Sequence, residues 1–255
     1  MIYLYAIAGQ FDSPLDPPPG IENQAVYKIN CGSFTPVVST LLTGEVNLSK
    51  EAIYRHENVV EFFMRHTSIL PVQFNTLFDN TEVLTGTLKR YNLEIETNLL
   101  KVANCVEMGV KILAKEGNTK ESDTKRSKNN IPNPEEEISK AKKYILDKFS
   151  SHKEAFYLQE KYKAQGKVIY SLLKEFAKQG TVFPIAANSY MILNSAFLVP
   201  RASVANFKER FHSIKKDHKE LAFLLSGPWP PYSFVDFQIE KAQTKEENKD
   251  ELCLS

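Results

Sequence analysis

The sequence predicts an α+β protein of two domains, and three observations carry that reading. Short apolar runs rich in β-branched and aromatic residues, bounded by Pro and Gly, recur in both halves of the chain. Between them lie longer segments whose apolar residues return every three or four positions. At 255 residues the chain is long for one core and comfortable for two.

The first domain is expected over residues 1–102. Ile2 to Ala8 mixes aromatic and β-branched residues and reads as a strand. "GQFDSPLDPPPG" is a Pro-rich loop, and "AVYKINC" and "FTPVVST" are two further short strands. Ser49 is placed to cap a helix that runs to about His66. Its apolar stripe is Ala52, Ile53, Val59, Val60, Phe63 and Met64, and His56 falls on the same stripe. "SILPVQFNTLF" is extended. A second helix starts near Asn80 or Thr81 and buries Leu84, Leu88, Tyr91, Ile95 and Leu99.

The second domain is expected over residues 103–237. "CVEMGVKILA" alternates like a strand. The polar stretch 115–137 holds almost no core-forming residue and reads as a flexible excursion. A helical insert is expected around 134–165, and helix continues to about Lys178. "TVFPIAA" and "SYMILNSAFLVP" are two strands joined by a turn at Ala187-Asn188. Ala202 to Ile214 is helical, with Val204, Phe207, Phe211 and Ile214 inward. "ELAFLLSG" is the last strand. Without its insert this order is the split βαβ, ferredoxin-like arrangement. Residues 238–255 form a charged, disordered tail.

The bulk numbers exclude more than they assign. Net charge is +1, from 32 basic and 31 acidic residues, so no strong overall positive field recruits nucleic acid. Cys31, Cys105 and Cys253 are far apart and odd in number, which argues against a disulfide framework or zinc cluster and fits a reducing cytoplasm. No apolar run reaches the ~20 residues of a membrane helix, and the apolar start is too short and lacks the basic flank of a signal peptide.

Motifs for chemistry are absent. His56-Glu57 lacks a second His one turn on, because position 60 is Val. His56 therefore reads as a satisfied core or interface histidine. No Gly-rich phosphate loop and no nucleophile elbow occurs. No catalytic, cofactor-binding or metal residue is expected, and the chain does not read as an enzyme.

What stands out is apolar and aromatic material in short, Pro-punctuated segments: "SILPVQF", "LVPRA" and "GPWPPYSF". The last lies in "SGPWPPYSF", which holds the chain's single Trp and three of its 13 prolines. Three prolines restrict the unfolded chain, so ordering this strap costs less entropy than ordering a usual tail. Such straps either cover a sheet edge or form a docking surface, since Trp and Tyr concentrate at interface hot spots. The candidate partner-binding residues are Leu70, Pro71, Phe74, Trp229, Pro231, Tyr232 and Phe234. Trp229 is expected to brace the second domain, at ~3 kcal/mol on truncation. Tyr232 is expected to serve association more than stability.

The same segments resemble the gas vesicle protein F/L family. The landmarks are "MIYLYAIAG", "RHENVVEFFMRHTSILPVQFNTLF", "NSAFLVPRASVANF" and "GPWPPYSF", in family order over almost the whole chain. The length resembles the family's F branch, and the moderate charge resembles a cyanobacterial version more than a halophilic one. In the family's LP-x-R-F-G-T segment, Gln73 and Asn75 replace the basic residue and the glycine. Asn still reaches the left-handed region that Gly would occupy there. The resemblance implies a non-enzymatic accessory or minor structural protein of gas vesicle assembly, cytoplasmic and associated with the vesicle wall. It implies two α+β domains and no cofactor. The implied partner is the hydrophobic shell-forming gas vesicle protein A, with other accessory proteins possible, and neither nucleic acid nor lipid membrane. By binding shell subunits it would limit their aggregation or help nucleate the wall. Competing readings are a ligand-binding regulatory module, by analogy with ferredoxin-like domains, and an enzyme using an inter-domain cleft.

Overall fold

The computed structural model describes residues 1–11, 14–42, 46–115, 161–186 and 190–236. The expected excursion over 115–137 (beyond residue 115), the insert before residue 161, the turn at Ala187-Asn188 and the tail over 238–255 all lie outside the described residues. The chain is a mixed helix-and-sheet protein that divides into two compact units. One is Met1–Glu107 joined by the chain from Pro228 onward; the other is Met108–Gly227. The division expected after residue 102 therefore falls after Glu107, and the strap groups with the first unit.

The first unit is built on β1 (Ile2–Gly9), which is buried along nearly all its length. Its sheet has the order β2-β3-β1-β4, with β2 at Val26–Lys28, β3 at Phe34–Thr40 and β4 at Ile69–Pro71. A two-residue β5, Leu77–Phe78, also pairs with β1. The β1–β3 ladder is antiparallel, and its register shifts between Leu4 and Ala6. Central β1 lacks any charged residue, as a strand covered on both faces must.

Helix α1 is Lys50–His66, and the Ser49 side chain accepts from the Ala52 N–H, the capping bond the sequence predicts. His56, Val59, Val60, Phe63 and Met64 form its buried stripe. Ile53, expected on that stripe, is 41% exposed, because burial begins one turn later. Asn80 caps the next helix through the Val83 N–H. The single expected helix is two: α2 (Thr81–Arg90) and α3 (Asn92–Val102). The Tyr91 N–H bonds back to the Leu88 carbonyl, which tightens the last turn of α2. The stripe nevertheless keeps phase across the break, with Leu84, Leu88, Ile95 and Leu99 all buried.

Strand β6 (Cys105–Ala114) starts in the first unit and from Met108 onward belongs to the second, where it is followed, among the described residues, by helix α4 over 161–174. Then come β7 (Gln179–Val182), β8 (Met191–Pro200), α5 (Val204–Asp217) and β9 (Leu221–Trp229). The sheet order is β7-β8-β6-β9, and β7 and β8 are antiparallel. The core includes Ile169, Leu173, Phe197, Phe207, Phe211 and Ile214. Strand β7 starts earlier and ends sooner than "TVFPIAA" suggests. The Phe183 N–H still reaches the Asn194 carbonyl at 2.8 Å, and then Pro184, with no N–H, stops the ladder. The final strand does the opposite and continues through Ser226-Gly-Pro-Trp229. Among the described residues β9 lies at the edge of its sheet, the position where a sheet tolerates a proline.

Candidate functional site

Within the first unit the strap is fastened to three elements, and α1 supplies the first. His56 is 1% exposed and stands between the rings of Tyr5 and Phe74, with centroids 5.6 and 5.7 Å away. The Asn75 N–H donates to the Tyr3 hydroxyl at 3.0 Å. That hydroxyl donates to His56 Nδ1 at 2.9 Å. His56 Nε2 then carries the proton and donates to the Val72 carbonyl at 3.2 Å. This chain of bonds fixes a neutral imidazole, and burial holds its pKa down at about 4. His56 is the satisfied core histidine that its sequence neighbours suggest.

Tyr232 of the strap closes over this group. Its hydroxyl donates to Glu57 Oε1 at 3.0 Å and lies 3.4 Å from His56 Nε2. Burial drives the Tyr232 and Tyr3 phenols well above the usual tyrosine range, so both remain neutral donors. Burial also raises Glu57, against the Tyr232 hydrogen bond that favours its charged form.

The second fastening is on β6. Glu107 takes the Ser233 N–H on one oxygen at 2.8 Å and the Ser233 hydroxyl on the other at 2.7 Å. Burial raises Glu107 too, with both Ser233 bonds opposing the rise. The third is on α3, where Asn98 Oδ1 accepts the Asp236 N–H at 3.0 Å and Lys101 pairs with the Asp236 carboxylate. Between these polar ties Phe234 is 1% exposed, and Pro230 and Pro231 are buried.

The candidate residues thus separate. Tyr232, Phe234 and Pro231 meet in the strap, and Phe74 joins Tyr232 around the His56 ring. Leu70 is fully buried and pairs with Ile7, and Pro71 pairs with Ala6. Trp229, expected to be the buried brace, is instead 44% exposed at the end of β9. The reason is local: edge-strand geometry carries the ring as far as Trp229, and the chain turns inward only at Pro230. Asn75 has φ +66°, so it adopts the left-handed turn that the family's Gly would take.

Sequence reasoning missed Glu57, Asn98, Lys101 and Glu107. A signal for Glu107 was present, since one carboxylate sits inside the apolar alternation "CVEMGV". Chemically the arrangement is a mechanical latch of carboxylate acceptors and hydroxyl or amide donors. Among the described residues no group of three or more His, Cys, Asp or Glu is placed to hold a metal ion. Nor is any described helix long and apolar enough to cross a membrane.

Three comparisons bear on this arrangement. The profile of the gas vesicle synthesis protein GvpL/GvpF family matches residues 1–236, the strap included. Gas vesicle protein F1 of Halobacterium salinarum is 24% identical over 245 residues, covering 95% of this chain and 96% of that protein. Crystal structures of gas vesicle protein GvpF are similar in fold. The one from Anabaena has a TM-score of 0.66 at 24% identity, covering 93% of this chain and 96% of that one. The one from Microcystis aeruginosa has 0.69 at 21%, covering 92% and 99%.

Proposed function

The chain belongs to the gas vesicle synthesis protein GvpL/GvpF family, and from that premise we propose that it serves gas vesicle assembly by binding the hydrophobic shell-forming gas vesicle protein A. The observation that carries the assembly role is the family match over residues 1–236. The strap supplies the physical means. A subunit that buries apolar surface in the finished wall exposes it beforehand, and such surface aggregates unless covered. Trp229 offers a large, half-exposed ring at the end of a segment fastened by Tyr232, Ser233 and Phe234. A rigidly held aromatic loses little entropy on docking, which is the property of an interface hot spot. In this reading Trp229 contacts the shell subunit, and Tyr232, Phe234, Pro231, Phe74, Leu70 and Pro71 hold the frame behind it. The chain covers shell subunits before they pack, or seeds their packing, and accompanies them to the wall.

The second unit we read as ferredoxin-like. The element order β6-α4-β7-β8-α5-β9 and the sheet order β7-β8-β6-β9 support that assignment.

The test is capture. Immobilised full-length chain, exposed to lysate of vesicle-forming cells, should retain gas vesicle protein A, and a Trp229→Ala variant should retain less. Equal recovery of the shell protein on immobilised chain and on bare resin would refute the binding.

A further inference from the structure

Among the described residues the two sheets have four edges, and three are blunted. Strand β2 has three residues and ends on Lys28; β4 has three and ends on Pro71; β7 has four. Short edges, Lys and Pro are the usual protections against edge-to-edge pairing. Strand β9 differs. It has nine residues, LAFLLSGPW, none of them charged, and its one proline comes only at position 228. Among the described residues its sole strand neighbour is β6. Leu224, at its centre, is 55% exposed.

We propose that β9 is a self-association edge: Leu221–Ser226 of one copy pairs antiparallel with the same stretch of a second copy, about a two-fold axis at Leu224. The sequence is complementary to itself in that register. Leu224 meets Leu224 and Phe223 meets Leu225, so apolar side chains meet across the joint, with the small Ala222 and Ser226 facing each other at its margins. Gly227, at φ +106°, and Pro228, without an N–H, end the register.

Charge selects the antiparallel direction. A cluster of charged groups stands at the start of β9, where the Lys115 ammonium holds the Lys219 carbonyl at 2.6 Å. Glu220 there takes Gln165 at 2.9 Å and lies 3.3 Å from His218. Antiparallel pairing sends the two copies of this cluster to opposite ends of the joint, whereas parallel pairing would set them side by side. A two-fold joint is also closed, so it yields a dimer and not a fibre.

Sedimentation of the full-length chain over a concentration series tests this, with Leu224→Lys as the edge-breaking variant. The proposal expects a reversible monomer–dimer equilibrium in the parent. Leu224→Lys should remain monomeric and melt at the temperature of the parent diluted below its dimerisation range. Cross-linking reads the register even if that variant folds poorly. In a Cys31→Ser, Cys253→Ser background, Leu224→Cys should form a covalent dimer on mild oxidation, because directly paired residues lie within disulfide reach. Ala222→Cys should not, because its two copies lie about 13 Å apart along the strands. A parent that stays monomeric up to its solubility limit overturns the proposal. So does a dimer that survives Leu224→Lys, or equal cross-linking at positions 222 and 224. Loss of shell-protein capture by Leu224→Lys in a monomeric parent would assign the edge to the shell subunit and likewise reject a second copy.

Discussion

Trp229 and Phe234 lie five residues apart in one proline-rich segment, yet the first is 44% exposed and the second 1%. Hydrophobicity does not separate them, since the larger ring is the exposed one. Partners do. The stretch around Phe234 meets Glu57 on α1, Glu107 on β6 and Asn98 on α3, and these satisfy the polar groups that burial would otherwise orphan. Trp229 belongs to a strand that lies at a sheet edge among the described residues, and 44% of it stays exposed. A strap is anchored where its polar atoms find acceptors.

The sharpest way to break this contrast is to truncate the buried ring. Phe234→Ala should destabilise the first unit by about 3 to 5 kcal/mol, the cost of a large-to-small change at a closed site. Denaturant unfolding followed by tyrosine fluorescence reads it directly. A loss under about 1 kcal/mol would mean that the strap end does not bear on stability.

Acid tests the group beneath Tyr232. His56 is neutral in the fold with a pKa near 4, while an unfolded His takes its proton near 6.5. The unfolded state therefore binds the extra proton first, and stability falls as pH drops from about 6.5 to about 4. The span corresponds to about 3 kcal/mol once complete. Glu57 and Glu107 act in the opposite sense. Their folded pKa values are raised, so each favours the fold more as pH falls toward the ordinary carboxylate range. His56→Gln should remove the acid loss and leave only the carboxylate trend. Melting temperatures of parent and variant between pH 7.5 and 4.5, falling in parallel, would contradict the assignment of His56 as the acid-sensitive group.

A smaller effect is expected at the β6 fastening. Glu107→Gln replaces one acceptor oxygen by a donor that faces Ser233, and should cost about 2 kcal/mol. Amide hydrogen exchange should show the Ser233 N–H losing protection more than the core amides of β1. Uniform loss across the first unit would mean that Glu107 supports the sheet and not the strap.

Much of this fold is legible locally. The Ser49 and Asn80 caps, the stripe of α1 and the six longer strands each depend on residues within a few positions of one another. The latch is not legible that way. Tyr232 and Glu57 are 175 residues apart in sequence, and Ser233 and Glu107 are 126 apart. No periodicity reports such a pairing. Trp229 misled for the same reason, because the stretch from Ser226 reads as a proline-broken strap only when β9 is not known to be an edge. The family resemblance, carried by quoted landmarks and not by spacing, supplied the assembly role that the geometry alone would not name.

The central claim is that the strap is fastened at its Phe234 end and offers its Trp229 end. The affinity of purified gas vesicle protein A for the parent and for Trp229→Ala, measured on chains whose unfolding has been recorded in parallel, tests it most directly. The account predicts that Trp229→Ala unfolds within about 1 kcal/mol of the parent and binds the shell protein at least tenfold more weakly, about 1.4 kcal/mol. Unchanged binding by a stably folded Trp229→Ala chain would contradict it.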